Sequence, residues 1–214
     1  WNEMETYWKA LIADRRVAPR DPSKDYITHL LNARIDGEPV PEADIIDILV
    51  TLTVGGIDTT RAQLGWCIYH FATHPDDLQR VKDDPSLMPT AIEEFMRAYS
   101  IIGMGRKVTQ DVDFHGCPMK KDDMVLLWYP SACRDPRLFP DAATVHIDRE
   151  DNRHVNFGNS LHRCLGSHLG RAEMTIGVEE FLRAVPNFRL ATEEQPMATG
   201  GQISLVSLPL AWDV

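Results

Sequence analysis

The sequence predicts a mainly α-helical chain with small accessory β-sheets. The segment from Pro41 to about Thr73 is rich in apolar residues and carries no proline after its first residue, which suits one long helix. Shorter segments around it also place apolar residues at helical spacing. Strand-like segments are short and cluster after Gly105 and at the C-terminal end.

Trp1 to Val17 reads as a helix with Met4, Trp8, Leu11 and Ile12 on one face, and Pro19 and Pro22 end it. Tyr26 to Ala33 reads as a short helix before the turn Asp36-Gly37-Glu38-Pro39. Pro41 then opens the long helix, where Glu42, Asp44 and Asp47 suit the positive end of its dipole. Gly55 and Gly56 lie inside it, each costing about 1 kcal/mol relative to alanine in an exposed helix. His74-Pro75 closes it. Asp76 to Lys82 and Leu87 to Ser100 are two further helices. Arg106 to Thr109, Val112 to Phe114 and Met124 to Trp128 read as strands, and Ala132 to His146 as an irregular loop with a short helix. Leu165 to Ala184 is the last helix, and Pro186 to Leu190 and Ile203 to Trp212 close the chain as strands. No repeat, low-complexity tract or flexible linker interrupts the sequence, so residues 1–214 are read as part of a single domain.

Apolar residues make up 43% of the 214 positions and charged residues 25%, an ordinary globular balance. The net charge of −10 argues against nucleic acid as a partner, since phosphate binding calls for a basic surface. No apolar run reaches the roughly 18 residues of a membrane span; the best candidate, Ile45 to Ile57, is broken by Asp47. No signal peptide is visible at Trp1 to Glu5. The cysteines Cys67, Cys117, Cys133 and Cys164 fit no metal-finger or CxxC spacing, and a reducing cytoplasm is the expected compartment.

The most informative stretch is Phe157-Gly158-Asn159-Ser160-Leu161-His162-Arg163-Cys164-Leu165-Gly166. It delivers one cysteine to the start of a helix, where unpaired N–H groups and the helix dipole favour a thiolate. Gly158 and Gly166 let the backbone bend and approach something flat and bulky. A single cysteine does not hold zinc or an iron–sulfur cluster, but it suffices for the axial position of a haem iron. The competing reading is a buried structural cysteine at a helix start.

In Gly55-Gly56-Ile57-Asp58-Thr59-Thr60, glycines open the helix backbone beside a carboxylate and a hydroxyl suited to proton relay. Glycines at a helix–helix crossing are the alternative. In Glu94-Phe95-Met96-Arg97, the acid and the arginine share a helix face. A weak surface ion pair is the alternative there.

The 157–166 stretch resembles the cysteine-ligand loop of the cytochromes P450, Phe-Gly-x-Gly-x-[His/Arg]-x-Cys-x-Gly. Phe157, Gly158, His162, Cys164 and Gly166 match. Ser160 stands where the pattern has its second glycine, so an adjusted local backbone is expected. Gly55 to Thr60 resembles the family's oxygen-activation motif, and Glu94 with Arg97 its Glu-x-x-Arg pair. The motifs occur in the family's order. Val54 to Thr59, Asp113-Phe114-His115-Gly116 and Leu208 to Asp213 are similar to the bacterial camphor-hydroxylase-like branch.

The resemblance implies the C-terminal half of the P450 fold and a haem b cofactor (iron protoporphyrin IX) whose iron is ligated by Cys164. Phe157, Gly158 and Gly166 would shape the cofactor loop, and Arg106 and His162 would hold the propionates. Thr59 would hydrogen-bond dioxygen or its waters, with Asp58 supplying protons. Glu94, Arg97 and Arg149 would form a structural network. Thr51, Val54, Gly55, Ile101, Ile102, Gly201 and Gln202 would line the substrate pocket. The implied activity is a haem-thiolate monooxygenase acting on a small to medium hydrophobic substrate with O2. Electrons would come from an iron–sulfur ferredoxin and its reductase, docking near Arg163, His162 and Arg171. The alternatives are a haem-binding but catalytically incompetent fragment and a helical interaction module without haem. The half of the family's length not matched here would carry most of the substrate lid. No nucleic-acid or membrane partner is expected.

Overall fold

A computed structural model describes residues 2–212; Trp1 of the expected first helix and Asp213 of the closing segment lie outside the described residues. The chain divides into two compact units, residues 1–58 and 59–214.

In the first unit, α1 (Asn2–Val17) and α2 (Tyr26–Asn32) precede a hairpin of β1 (Arg34–Ile35) and β2 (Glu38–Pro39). Asp36 and Gly37 both have positive φ, which a two-residue hairpin turn needs for its twist to match the strands. Then α3 (Glu42–Thr73) begins. Ile12, Ile27, Leu30, Ile45, Leu49 and Val50 form this unit's core. Asp25 caps α2 by accepting the Thr28 amide at 2.9 Å, and Arg15, itself buried, donates to its other oxygen at 3.1 Å.

The second unit holds the rest of α3, then α4 (Pro75–Asp83) and α5 (Met88–Ala98). Antiparallel pairs follow: β3 (Gly103–Lys107) with β6 (Met124–Trp128), and β4 (Val112–Phe114) with β5 (Cys117–Met119). A short helix, α6 (Tyr129–Ala132), precedes the irregular segment in which it was expected, because Pro130 sits in its first turn. The long α7 (Ser167–Ala184) leads to β7 (Phe188–Leu190), which pairs with β10 (Leu210–Trp212). A two-residue pair, β8 (Ala198–Thr199) with β9 (Ser204–Leu205), lies between them. The mainly α architecture with small sheets is the one expected.

Phe71, Phe95, Ile92, Met96, Ile147, Met174 and Val178 build the second core, each at most 2% exposed. Each such side chain stabilises the fold by roughly 1.5–3 kcal/mol. α5 sits at its centre, and everything from Glu94 to Ala98 is buried. A helix with apolar residues on one face buries its polar face only where partners satisfy it. His70 is buried between Tyr99 and Asp77, 2.9 Å from the Tyr99 hydroxyl and 3.0 Å from the carboxylate. Burial pushes its pKa down to about 4.

Candidate active site

The cysteine loop is built mostly from backbone. Gly158 has φ +69°, and a Cβ there would meet the His162 carbonyl at 3.3 Å and the Tyr129 hydroxyl at 3.4 Å. The Asn159 side chain accepts the Ser160 amide at 2.7 Å and starts a single turn over Ser160–His162. The Cys164 N–H then donates to the Phe157 carbonyl at 2.8 Å and closes the loop.

Ser160 adopts φ +61°. This is the left-handed conformation that favours glycine, and a serine takes it at a steric cost of about 1–2 kcal/mol. α7 starts at Ser167 rather than Leu165, because the chain turns once more after the cysteine and Ser167 N–H bonds the Cys164 carbonyl at 3.3 Å.

Cys164 is exposed, which removes the alternative of a buried structural cysteine. That description fits Cys67 and Cys133, both buried. Burial pushes the Cys67 thiol up to about 12 and raises Cys133 as well. Beside Cys164, Leu161 is 96% and Leu165 75% exposed.

Glu94 and Arg97 are wholly buried, so the surface-pair alternative falls. Arg97 forks onto both Glu94 oxygens at 2.7 and 2.8 Å and donates to the carbonyls of Cys133, Ala142 and Thr144. Arg149 reaches Glu94 at 3.0 Å. The Asn152 amide and the His146 N–H complete the carboxylate's shell at 3.0 and 2.9 Å. Burial alone would raise the Glu94 pKa; the hydrogen bonds from Arg97 and His146 outweigh it and hold it low. The network pins residues 133–152 to α5.

α3 runs unbroken through Gly55 and Gly56. A Cβ at either glycine meets nothing within 4 Å, so neither sits at a helix crossing among the described residues. Asp58 is exposed and Thr59 half-buried. On the next residue, the Thr60 hydroxyl donates to Glu173 of α7 at 3.3 Å.

Of the expected pocket residues, Ile102 bridges to Gln202, and Ile203 N–H donates to the Ile101 carbonyl at 2.9 Å. This brings 101–102 and 201–202 together. Ile101 is buried, Ile102 and Gln202 are half-buried, and Gly201 is exposed. Thr51, Val54 and Gly55 belong to the first unit and are exposed on α3.

Arg106 is half-buried on β3 and donates to the Gly105 carbonyl at 2.8 Å; His162 is exposed on the cysteine loop. Neither has a carboxylate partner among the described residues. The β3–β6 pair leads into the loop, since Tyr129, the residue after β6, lies against Gly158. An exposed thiol between exposed leucines suits a flat, largely apolar macrocycle carrying a metal. An arginine and a histidine without carboxylate partners among the described residues suit its two propionates. The residues fit haem. Among the described residues no group of three or more His, Cys, Asp or Glu is set to hold a metal ion.

Sequence reasoning missed Asn152, and it missed a second polar cluster. Arg171 was expected on a docking patch, yet it pairs with Glu93 and stacks on Phe157, its guanidinium 4.6 Å from the ring centre. His154, 2% exposed at its side chain, also bonds Glu93. The one available signal was the adjacent acids Glu93-Glu94 on an otherwise amphipathic helix.

The cytochrome P450 family profile matches residues 1–86 and 83–212. A probable cytochrome P450 127A1 of Sinorhizobium fredii is 34% identical over 194 residues, covering 90% of this chain and 47% of the relative. A methyl-branched lipid omega-hydroxylase of Mycobacterium tuberculosis is 35% identical over 214 residues, covering 98% of this chain and 49% of the relative. The solved structure of the Bacillus subtilis bacillaene polyketide synthase cytochrome P450 PksS superposes with a TM-score of 0.93 at 31% identity, covering 100% of this chain and 55% of that one. The chain thus spans about half the length of the curated relatives it matches. Among the described residues no helix is long and apolar enough to cross a membrane. With the profile matched along nearly all of its sequence and a solved relative superposing on its full length, this chain belongs to the cytochrome P450 family, whose members bind haem b.

Proposed function

We propose that this chain is the cofactor-bearing portion of a monooxygenase that hydroxylates a small to medium hydrophobic substrate with O2. Electrons come from an iron–sulfur ferredoxin and its reductase, and the compartment is the cytoplasm. The observation that carries this reading is Cys164, exposed between exposed leucines on a loop closed by its own backbone.

Bound here, haem would supply O2 activation, with the thiolate feeding electron density to the iron. Cys164 would be the sole protein ligand to that iron, and Arg106 and His162 would hold the propionates through charge-assisted bonds. Gly166 leaves open the space 3.9 Å from the Cys164 sulfur that a Cβ would take, and Gly158 the space beside the His162 carbonyl. Asp58, an exposed carboxylate, exchanges protons with solvent. The half-buried Thr59 hydroxyl accepts and donates, so it orders water and passes a proton on.

Ile102 and Gln202 offer the substrate an apolar contact and one hydrogen bond, with Ile101 packed behind them and Gly201 leaving room. The mycobacterial relative named as a lipid hydroxylase supports a hydrophobic substrate class. Since Arg171 is engaged with Glu93, ferredoxin docking falls to the exposed Arg163 and His162, a local basic patch on a chain of net charge −10.

The deciding experiment is the reduced carbon-monoxide spectrum of the full-length protein. Wild type and the Cys67→Ser, Cys117→Ser and Cys133→Ser variants should show the thiolate signature, and Cys164→Ser should lose it. A Cys164→Ser spectrum like wild type refutes the assignment. In turnover, Thr59→Ala should keep consuming reducing equivalents but divert them to peroxide or water; tight coupling in that variant removes Thr59 from proton delivery.

A further inference from the structure

The polar cluster beside Glu94 leads to the cysteine loop. Arg171 donates to Glu93 through Nε at 2.5 Å and Nη2 at 2.9 Å. His154 Nε2 lies 3.1 Å from the same carboxylate. The Asn156 N–H donates to His154 Nδ1 at 3.2 Å, so that nitrogen is bare and Nε2 carries the proton donated to Glu93. Burial raises the Glu93 pKa, but the bonds from His154 and Arg171 prevail and hold it at about 2, so the carboxylate stays charged.

Arg171 is therefore locked in orientation, and what it touches is specific. Its guanidinium stacks 4.6 Å from the Phe157 ring centre, and its Nη1 donates to the Ser167 carbonyl at 3.3 Å. Phe157 provides the carbonyl that accepts the Cys164 N–H, and Ser167 provides the N–H that the Cys164 carbonyl accepts. One guanidinium thus holds both backbone partners of the cysteine.

We propose that Arg171, clamped by Glu93 and His154, is the positioning residue for Cys164, acting through Phe157 and Ser167. The inference deepens the haem-thiolate reading and rests on it for its functional consequence. Its geometry is a property of this chain's own residues. A lysine would keep the charge but lose both the planar fork and the stacking, so charge alone does not suffice.

The test is amide hydrogen exchange at Cys164 in the full-length protein, with and without haem, for Arg171→Lys and Glu93→Gln. Arg183→Lys, an exposed pair partner of Glu180 on the same helix, is the control. Loosening the clamp should speed Cys164 exchange by about tenfold, the equivalent of one lost net hydrogen bond, and leave the Arg97 amide in α5 unchanged. In the loaded protein, both variants should shift part of the reduced carbon-monoxide complex from the thiolate signature to that of a neutral thiol. Wild-type exchange at Cys164 and a wild-type spectrum in both variants overturn the proposal. So does faster exchange spread evenly over α5 and α7, which would reduce the cluster to general stability. Should Arg171→Lys fail to fold, Glu93→Gln, which keeps the side-chain volume, decides alone. A wild type lacking the thiolate signature refutes the haem-thiolate reading, while Cys164 exchange still decides the clamp.

Discussion

Glu94 and Cys164 belong to the same unit and are held in opposite ways. Glu94 is completely buried, with Arg97, Arg149, Asn152 and the His146 amide around its carboxylate. Cys164 is exposed, and its backbone N–H and carbonyl are what tie it to its neighbours. The first arrangement spends both carboxylate oxygens of Glu94 on the fold. The second fixes the position of an atom while leaving its chemistry outward. The contrast separates what holds this chain together from what it presents to a ligand.

The comparison breaks most visibly at Arg97. Arg97→Leu takes one buried guanidinium away from the Glu94 carboxylate and from three carbonyls, and should cost about 3–5 kcal/mol, read as a lower urea midpoint of the full-length protein. A loss below about 1 kcal/mol would mean that Arg149 and Asn152 sustain the network without it.

A second measurement sharpens the contrast through pH. His70 titrates at about 4 in the fold and near 6.5 when unfolded, because its burial disfavours the charged form. Between those values the unfolded chain binds the extra proton, so stability rises with pH. The His70 contribution is fully present above about pH 6.5 and lost as pH falls towards about 4, a change on the order of 3 kcal/mol. His70→Gln should flatten the pH dependence of the urea midpoint in that window. Glu93 acts lower: its depressed pKa gives stability that is present above about 4.5 and lost as pH falls towards about 2. An unaltered slope in His70→Gln would assign the window to other groups.

Ser160→Gly tests how the loop depends on backbone conformation. Glycine relieves the left-handed strain but carries its own entropic cost, so a net gain of about 0.5–1 kcal/mol is expected. A destabilised variant would show that the Ser160 side chain contributes more than the strain removes.

The smallest expected stability change belongs to the proposed iron ligand. Cys164→Ser should shift the urea midpoint of the haem-free protein by less than about 0.5 kcal/mol, since the side chain is exposed and its backbone bonds remain. The same substitution at the buried Cys67 should cost more, through an added polar group in the core. Equal costs at the two sites would erase the contrast between the buried network and the presented loop.

Much of this was legible in one dimension. Pro41, the acidic first turn and His74-Pro75 predicted α3, observed over Glu42–Thr73, and the Pro and Gly positions marked most other boundaries to within a few residues. Strands of two or three residues, such as β5 and β8, were missed because pattern needs length to register. The Glu94–Arg97 pair was visible as a helical spacing, but its burial was not: an i, i+3 pair reads the same on a surface as in a core. The Glu93 partner of Arg171 was not legible for a related reason. A basic residue near a ligand loop reads as surface until a carboxylate 78 positions away is known to face it.

Local order in the chain determined the helices, the glycine-punctuated loop, the single cysteine at its end and the family those motifs match. Backbone propensity, turn chemistry and motif spacing all act over a few residues, so they are written in the sequence directly. Which charges are buried, and which side chains hold Cys164, was decided by tertiary structure alone. Glu94 with Arg149, Glu93 with Arg171, and Phe157 beneath that arginine are contacts between segments far apart in the chain. Their strength depends on desolvation and on geometry, and both exist only once the helices have packed.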